Sequence, residues 1–198
     1  MENLGSCTLE GRYVRLEPLM KDHVEALYNA GKSSDFTWLS TLLDSVDAVS
    51  NWVTDTLRNQ EMKREYPFAV VLKDSNRIVG STRYAGVQYD HHTVEIGYTW
   101  YSSDVWGTAV NPESKFLLLR HAFEDWNAIR VQIETDSGNL RSQRAILKLG
   151  AKFEGRLRNH RIRRDGTYRD TMMYSITDSD WNIVKNLLKN RIEQFDGK

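Results

Sequence analysis

Residues Val94 to Trp126 read VEIGYTWYSSDVWGTAVNPESKFLLLRHAFEDW, and this stretch decides the fold. Val94 to Tyr101 predicts a strand. Alternation puts Glu95, Gly97 and Thr99 on one face and Val94, Ile96, Tyr98 and Trp100 on the other. A loop of small residues follows, Trp106-Gly107-Thr108-Ala109-Val110-Asn111. Asn111 reads as an N-cap and Pro112 as the first residue of a helix to Trp126, with Phe116, Leu119, Phe123 and Trp126 on its buried face. A strand, a small-residue loop and a helix N-terminus in succession form an anion site, because unpaired N–H groups and the positive end of the helix dipole converge there. The loop carries neither GK[ST] nor GxGxxG, and a tight strand-to-helix connection without a ligand is the alternative reading.

The same logic extends outward. Towards the N-terminus, the apolar run Pro67 to Leu72 predicts a central strand, Asp74 to Asn76 a turn, and Arg77 to Tyr84 a second strand in which Gly80 marks a close approach or bulge. Asp90 to His92 turn into the strand of the opening stretch, so three strands form an antiparallel meander. Earlier still, Arg12 to Leu16 alternates as a strand, Asp22 can cap a helix to Ala30, and Ser45 to Lys63 is an amphipathic helix. Between these two helices Gly31 to Thr41 is irregular, and its Phe36 and Trp38 either pack on the core or line a pocket. Towards the C-terminus, Arg130 to Thr135 is a strand, and Asn139 caps a short helix stopped by Gly150. Lys152 to Arg163 and Thr167 to Ile176 form a hairpin around Asp165-Gly166. Asp178 or Ser179 caps a last helix from Asp180 to about Phe195. These elements predict one α+β domain over residues 1–198, with a mixed, mostly antiparallel sheet flanked by helices.

At 198 residues the chain is long enough for a sizeable core. Lys plus Arg and Asp plus Glu are 27 each, and this balance argues against strong non-specific nucleic-acid binding. The single cysteine, Cys7, excludes an internal disulfide and a cysteine-based zinc site, and it fits a cytoplasmic location. No signal-like or membrane-spanning run is expected. His91-His92 has no third ligand at metal spacing, so no metal is called for.

Three further features could carry chemistry. Glu95, on a strand beside the anion loop, is either a general base of raised pKa or a solvent-facing or salt-bridged residue. Asn139-Leu140-Arg141-Ser142 is either a ligand contact or an ordinary helix start. The basic run Arg156 to Arg164 is either a solvated hairpin face or a contact for an acidic ligand or RNA.

Taken together, the order of elements and the motifs EIGYTWY, WGTAVNPE and NLRSQRAILKLGAKFEGRLR resemble the GNAT superfamily of N-acetyltransferases from about Leu9 to Trp181. The similarity is greatest to the branch of ribosomal-protein N-terminal acetyltransferases. The resemblance implies a GNAT-like sheet of about seven strands and acetyl-CoA as cosubstrate, without a metal. It implies that the loop Gly107, Thr108, Ala109, Val110 and Asn111 holds the coenzyme A pyrophosphate. The backbone of Thr99, Trp100 and Tyr101 would pair with the pantetheine arm and polarise the thioester carbonyl. Asn139 would bond the pantetheine, and Ser142 would protonate the departing thiolate. The family loop Q/R-x-x-G-x-G/A is here Trp106, Ala109 and Asn111. Trp106 therefore lacks the usual polar group, Ala109 replaces a glycine, and Arg141 or Arg144 is the substitute source of positive charge. No acidic residue follows the FEG segment before Asp165, which leaves Glu95 as the base with His160 in reserve.

The implied activity is direct acetyl transfer from acetyl-CoA to a primary amine of a small molecule or protein N-terminus, in a ternary complex. The alternatives are a catalytically idle coenzyme A-binding protein and a ribosome- or RNA-contacting protein on the same fold. Gly31 to Thr41 and the Arg156 to Arg169 hairpin are expected to shape the acceptor groove. The hairpin is also where a homodimer could form, the oligomeric state being open.

Overall fold

The computed structural model describes residues 4 and 7–195. Among them, eight strands form one sheet in the order β1-β2-β3-β4-β5-β6-β8-β7. The strands are β1 (Leu9–Glu10), β2 (Val14–Pro18), β3 (Glu65–Leu72), β4 (Ile78–Gln88), β5 (Thr93–Tyr101), β6 (Arg130–Asp136), β7 (Lys152–Ile162) and β8 (Tyr168–Thr177). The helices are α1 (Val24–Gly31), α2 (Val46–Glu61), α3 (Val110–Arg120), α4 (Leu140–Leu147) and α5 (Asp178–Glu193). Neighbouring strands run antiparallel except β5 and β6, which α3 connects as a parallel pair. The fold is the mostly antiparallel α+β sheet that the sequence predicts, with the two-residue β1 added at one edge.

Two apolar clusters lie on opposite faces of the sheet. One joins Val94, Ile96, Tyr84 and Val131 to Leu118 and Leu119 of α3 and to Trp181 and Leu188 of α5. The other joins Ala69 and Trp100 to Leu27 of α1, to Val49 and Val53 of α2, and to Phe36. Gly80 sits where a Cβ would strike the Trp100 carbonyl, which explains the glycine in β4. At Gly150, φ is +91°, the left-handed stop expected after α4.

Several helix starts differ from expectation. Ser45 caps α2 as predicted, its Oγ accepting from Ala48 N at 3.1 Å. Asp22, by contrast, lies inside a 3₁₀ turn, Lys21–His23, and α1 begins only at Val24. α3 begins at Val110 with Ala109 as N-cap, so Asn111 and Pro112 are its second and third residues. The first helical bond there runs from Glu113 N to Ala109 O at 2.9 Å. Past Arg120 the helix continues as a π turn, His121–Asp125. α5 is capped by Thr177 in a reciprocal box with Asp180, one residue before the Asp178 or Ser179 read from sequence.

Glu113, buried in the first turn of α3, accepts from the backbone N–H groups of Arg12, Tyr13 and Val14, each at 2.7 Å. The carboxylate thereby fixes the start of β2 against the helix whose N-terminus forms the anion loop.

Candidate active site

The site begins where the central pair of strands parts. The β5–β6 register runs from Thr93–Arg130 to Glu95–Gln132, while β5 continues to Tyr101 and β6 to Asp136. The divergence coincides with a bulge. Ser81 faces Trp100 and Arg83 faces Gly97, so β5 carries one extra residue across the same span of β4. Tyr98 sits in the left-handed region at φ +52°. Its ring covers the Arg83 guanidinium at 4.4 Å, with Trp52 on that cation at 5.1 Å and Glu65 paired to it at 2.5 Å. These contacts offset the strain of a non-glycine residue at positive φ.

The bulge overturns the simple alternation expected for β5. Trp100 packs with Phe36 at 5.3 Å on the α1–α2 face, and Thr99 turns to α3. Phe36 is thus a packing residue. Trp38 lines the cleft, its ring lying against Gly138 where a Cβ would come within 2.7 Å.

A cleft of about 1220 Å³ occupies the opening. Glu95, Thr99, Trp100, Tyr101, Gly107, Thr108, Asn111, Asn139 and Ser142 all line it. Ala109 and Val110 have buried side chains, so what they can present to the cleft is backbone. The positive φ of the loop falls at Gly107, +77°, and Ala109 is helical at φ −66°. Alanine there consequently carries no conformational penalty. Trp106 donates its indole N–H to Tyr101 O at 3.1 Å and carries the Arg141 guanidinium over its ring at 4.0 Å. Asp35 holds the same guanidinium at 3.7 Å. A cation thus stands beside the loop although position 106 is apolar. Asn139 Oδ1 caps α4, accepting from Ser142 N at 3.0 Å.

At the other end, Glu95 bends back over Gly97, where a Cβ would come within 2.7 Å of Oε1. Burial raises its pKa to about 7; Glu134 pushes the same way, Arg161 and Arg169 oppose, and Glu65 adds a smaller push. Glu134 on β6 is itself buried and pairs with Arg161 at 2.5 Å and Arg169 at 3.6 Å. Lys115 enters from α3 and donates to Thr99 Oγ1 at 2.6 Å. Burial lowers its pKa to about 7, with Glu95 acting in the opposite sense. Sequence reasoning missed both residues. Glu134 was accessible from alternation in β6, since Val131 and Ile133 mark the core face. Lys115 had a weaker signal, a lysine four residues before Leu119 on the apolar face of a helix.

The hairpin arginines are largely engaged. Arg156 pairs with Asp170, and Arg163 is bidentate to Asp136 at 2.7 and 2.9 Å. Arg164 donates to Phe36 O at 3.1 Å, joining the hairpin to the irregular segment after α1. His160 is exposed on β7, hydrogen-bonded to Thr171 at 3.1 Å, and does not line the cleft.

The profile of the acetyltransferase (GNAT) domain matches residues 14–152, and the chain belongs to that family. No curated protein sequence matches it. Among solved structures, it is similar to a GCN5-related N-acetyltransferase from Brucella melitensis, with 28% identity, TM-score 0.87, and 94% of this chain and 85% of the other covered. A candidate acetyltransferase from T. thermophilus has 34% identity and TM-score 0.83, with 93% and 96% covered. Mycobacterium smegmatis RimJ in complex with CoA-disulfide shares the fold at 18% identity and TM-score 0.76, with 90% and 88% covered.

Proposed function

We propose that the protein transfers the acetyl group of acetyl-CoA to a primary amine by direct attack, both substrates being bound in the cleft between β5 and β6. The observation that carries this reading is Glu95. Its carboxylate lies over Gly97 at the strand opening, with a pKa of about 7, the value a general base needs to take a proton from an alkylammonium near neutral pH. A surface carboxylate would have no such tuning.

The residues present fit the cosubstrate. Backbone N–H groups from Gly107 to Asn111, at the start of α3, suit the pyrophosphate, and Arg141 on Trp106 supplies the charge that position 106 lacks. The β5 backbone from Thr99 to Tyr101 is available to the pantetheine arm past the point where β6 departs, and an N–H at the bulge stabilises the oxyanion. Ser142 offers a hydrogen bond to the leaving sulfur, and Asn139 holds the start of α4 on which Ser142 sits. Much of the acceleration then comes from holding amine and thioester together in one cleft.

The acceptor is a small molecule or a protein N-terminus. Likeness in fold to a ribosomal-protein-S5-alanine acetyltransferase from Vibrio fischeri, at 15% identity and TM-score 0.71 with 89% and 99% covered, brings the second class into consideration. The pairing of Arg156 and Arg163 with carboxylates speaks against a free basic surface for RNA. A cytoplasmic location fits the supply of acetyl-CoA. The test is thiol release from acetyl-CoA against a panel of amines and N-terminal peptides, with calorimetric titration of acetyl-CoA alongside. Saturable binding with amine-dependent thiol release is expected, and no heat at millimolar ligand refutes the reading.

A further inference from the structure

Lys115 has no part in the mechanism above, yet its amine is placed in the opening between the strands. The side chain leaves α3 from a buried position and reaches Thr99 Oγ1 at 2.6 Å, one residue past the bulge. Thr99 Oγ1 lies 2.8 Å from Thr82 Oγ1, so a hydroxyl on the adjacent strand steadies the one that holds the nitrogen. A lysine that merely filled a wall would carry its ammonium to water or pair it directly with a carboxylate. Here, among the described residues, the charged group acting on it is Glu95 across the opening, not a contacting partner. Lys115 also lines the same cleft as Asn111 and Ser142.

We propose that Lys115 is the acid of the transfer, its ammonium giving the proton that the departing thiolate of coenzyme A takes up. This rests on the acetyl-transfer reading. The amine nitrogen forms the new C–N bond and its proton passes to Glu95; the C–S bond breaks and the sulfur takes a proton from Lys115. Protonated Glu95 then returns that proton across the opening to neutral Lys115, which restores both groups, so that amine and thioester give amide and thiol with nothing left over. The energetics suit the step. A thiol has a pKa of about 8.5, and burial has brought Lys115 to about 7, so protonation of sulfur by this ammonium is downhill. A serine hydroxyl keeps its proton at neutral pH, so Ser142 can lend a hydrogen bond to sulfur but is not the source of the proton.

The experiment compares Lys115→Met and Lys115→Arg with the wild type on two donors, acetyl-CoA and S-(4-nitrophenyl) thioacetate, whose thiol leaves without protonation. Turnover of acetyl-CoA should fall about 100-fold in both variants, since arginine keeps the charge but cannot release its proton. Turnover of the aryl thioester should stay within about threefold of wild type. Equal losses on both donors, no loss, or full activity in Lys115→Arg overturns the proposal. A second readout is the ionisation of the thiol of bound coenzyme A, followed by thiolate absorbance in the ultraviolet. Lys115→Arg keeps a cation beside the sulfur at every pH and should lower that pKa by about one unit or more, whereas Lys115→Met replaces an amine already neutral when the thiol ionises and should leave it near the wild-type value; an unchanged value in Lys115→Arg overturns the proposal. If Lys115→Met fails to fold, Lys115→Arg decides the matter by its donor dependence. If the wild type binds coenzyme A but transfers to no amine, the function fails while the thiol readout still judges Lys115.

Discussion

Replacing Glu95 by Gln removes a carboxylate that the fold holds at a pKa of about 7, against an ordinary value of 4.5. The change has consequences of opposite sign for activity and stability. For activity, general bases contribute about 100- to 10,000-fold, or roughly 3 to 5 kcal/mol of barrier. With a weakly basic amine that is neutral throughout and the aryl thioester as donor, whose thiol leaves without an acid, wild-type kcat should rise about tenfold between pH 6 and pH 8, as the ionised fraction of a group titrating near 7 grows. Glu95→Gln should be slower at pH 8 and flat across the range. For stability, the folded protein retains a proton on Glu95 that the unfolded chain has lost, so stability falls as pH rises from 4.5 to about 7 and then levels off. A shift of that size amounts to about 3 kcal/mol, a destabilisation the glutamine variant does not carry. At pH 8, where Lys115 is mostly neutral as well, Glu95→Gln should therefore be more stable in urea denaturation by up to about 3 kcal/mol, an advantage that disappears near pH 4.5. A variant with wild-type turnover, or with no gain in stability at pH 8, refutes the assignment of Glu95 as a buried base of raised pKa.

Other outcomes follow from the same geometry. Gly97→Ala puts a Cβ where Glu95 Oε1 now lies, and a carboxylate end can swing aside, so kcat should fall at least about tenfold while acetyl-CoA affinity by calorimetry stays unchanged. Gly107→Ala meets no neighbour within 4 Å but forces alanine to φ +77°, and urea denaturation should show a loss of about 1 kcal/mol together with weaker acetyl-CoA binding. Glu113→Ala takes the carboxylate away from the backbone N–H groups of Arg12, Tyr13 and Val14, of which that of Val14 is buried, and the loss of stability should reach about 3 kcal/mol, the largest of these.

The local signals in the chain were read well where a single residue type decides the geometry. Ser45 caps α2, Gly80 marks a close strand approach, and Gly150 ends α4 in the left-handed region. Reading failed where geometry depends on partners far away in sequence. Period-two counting carried β5 straight through Tyr98, because the bulge is held by Arg83, Trp52 and Glu65 from other strands and a helix. Asn111 looks like a cap, but the N-cap of α3 is two residues earlier, at Ala109, where the backbone alone closes the first turn. The candidate site was half legible. Gly107, Thr108 and Asn111 of the loop line one cleft with Glu95, Asn139 and Ser142, while the side chains of Ala109 and Val110 are buried. Glu134 and Lys115 were missed because only the parting of β5 and β6 brings α3, β6 and the hairpin around Glu95.

The most direct test of the central claim is a crystal structure with acetyl-CoA bound. The account predicts the pyrophosphate within hydrogen-bond distance of the backbone N–H groups between Gly107 and Asn111, and the thioester between β5 and β6, on the Thr99 side of the bulge and within reach of Glu95. A cofactor bound elsewhere on the molecule, or a thioester remote from Glu95, would contradict it.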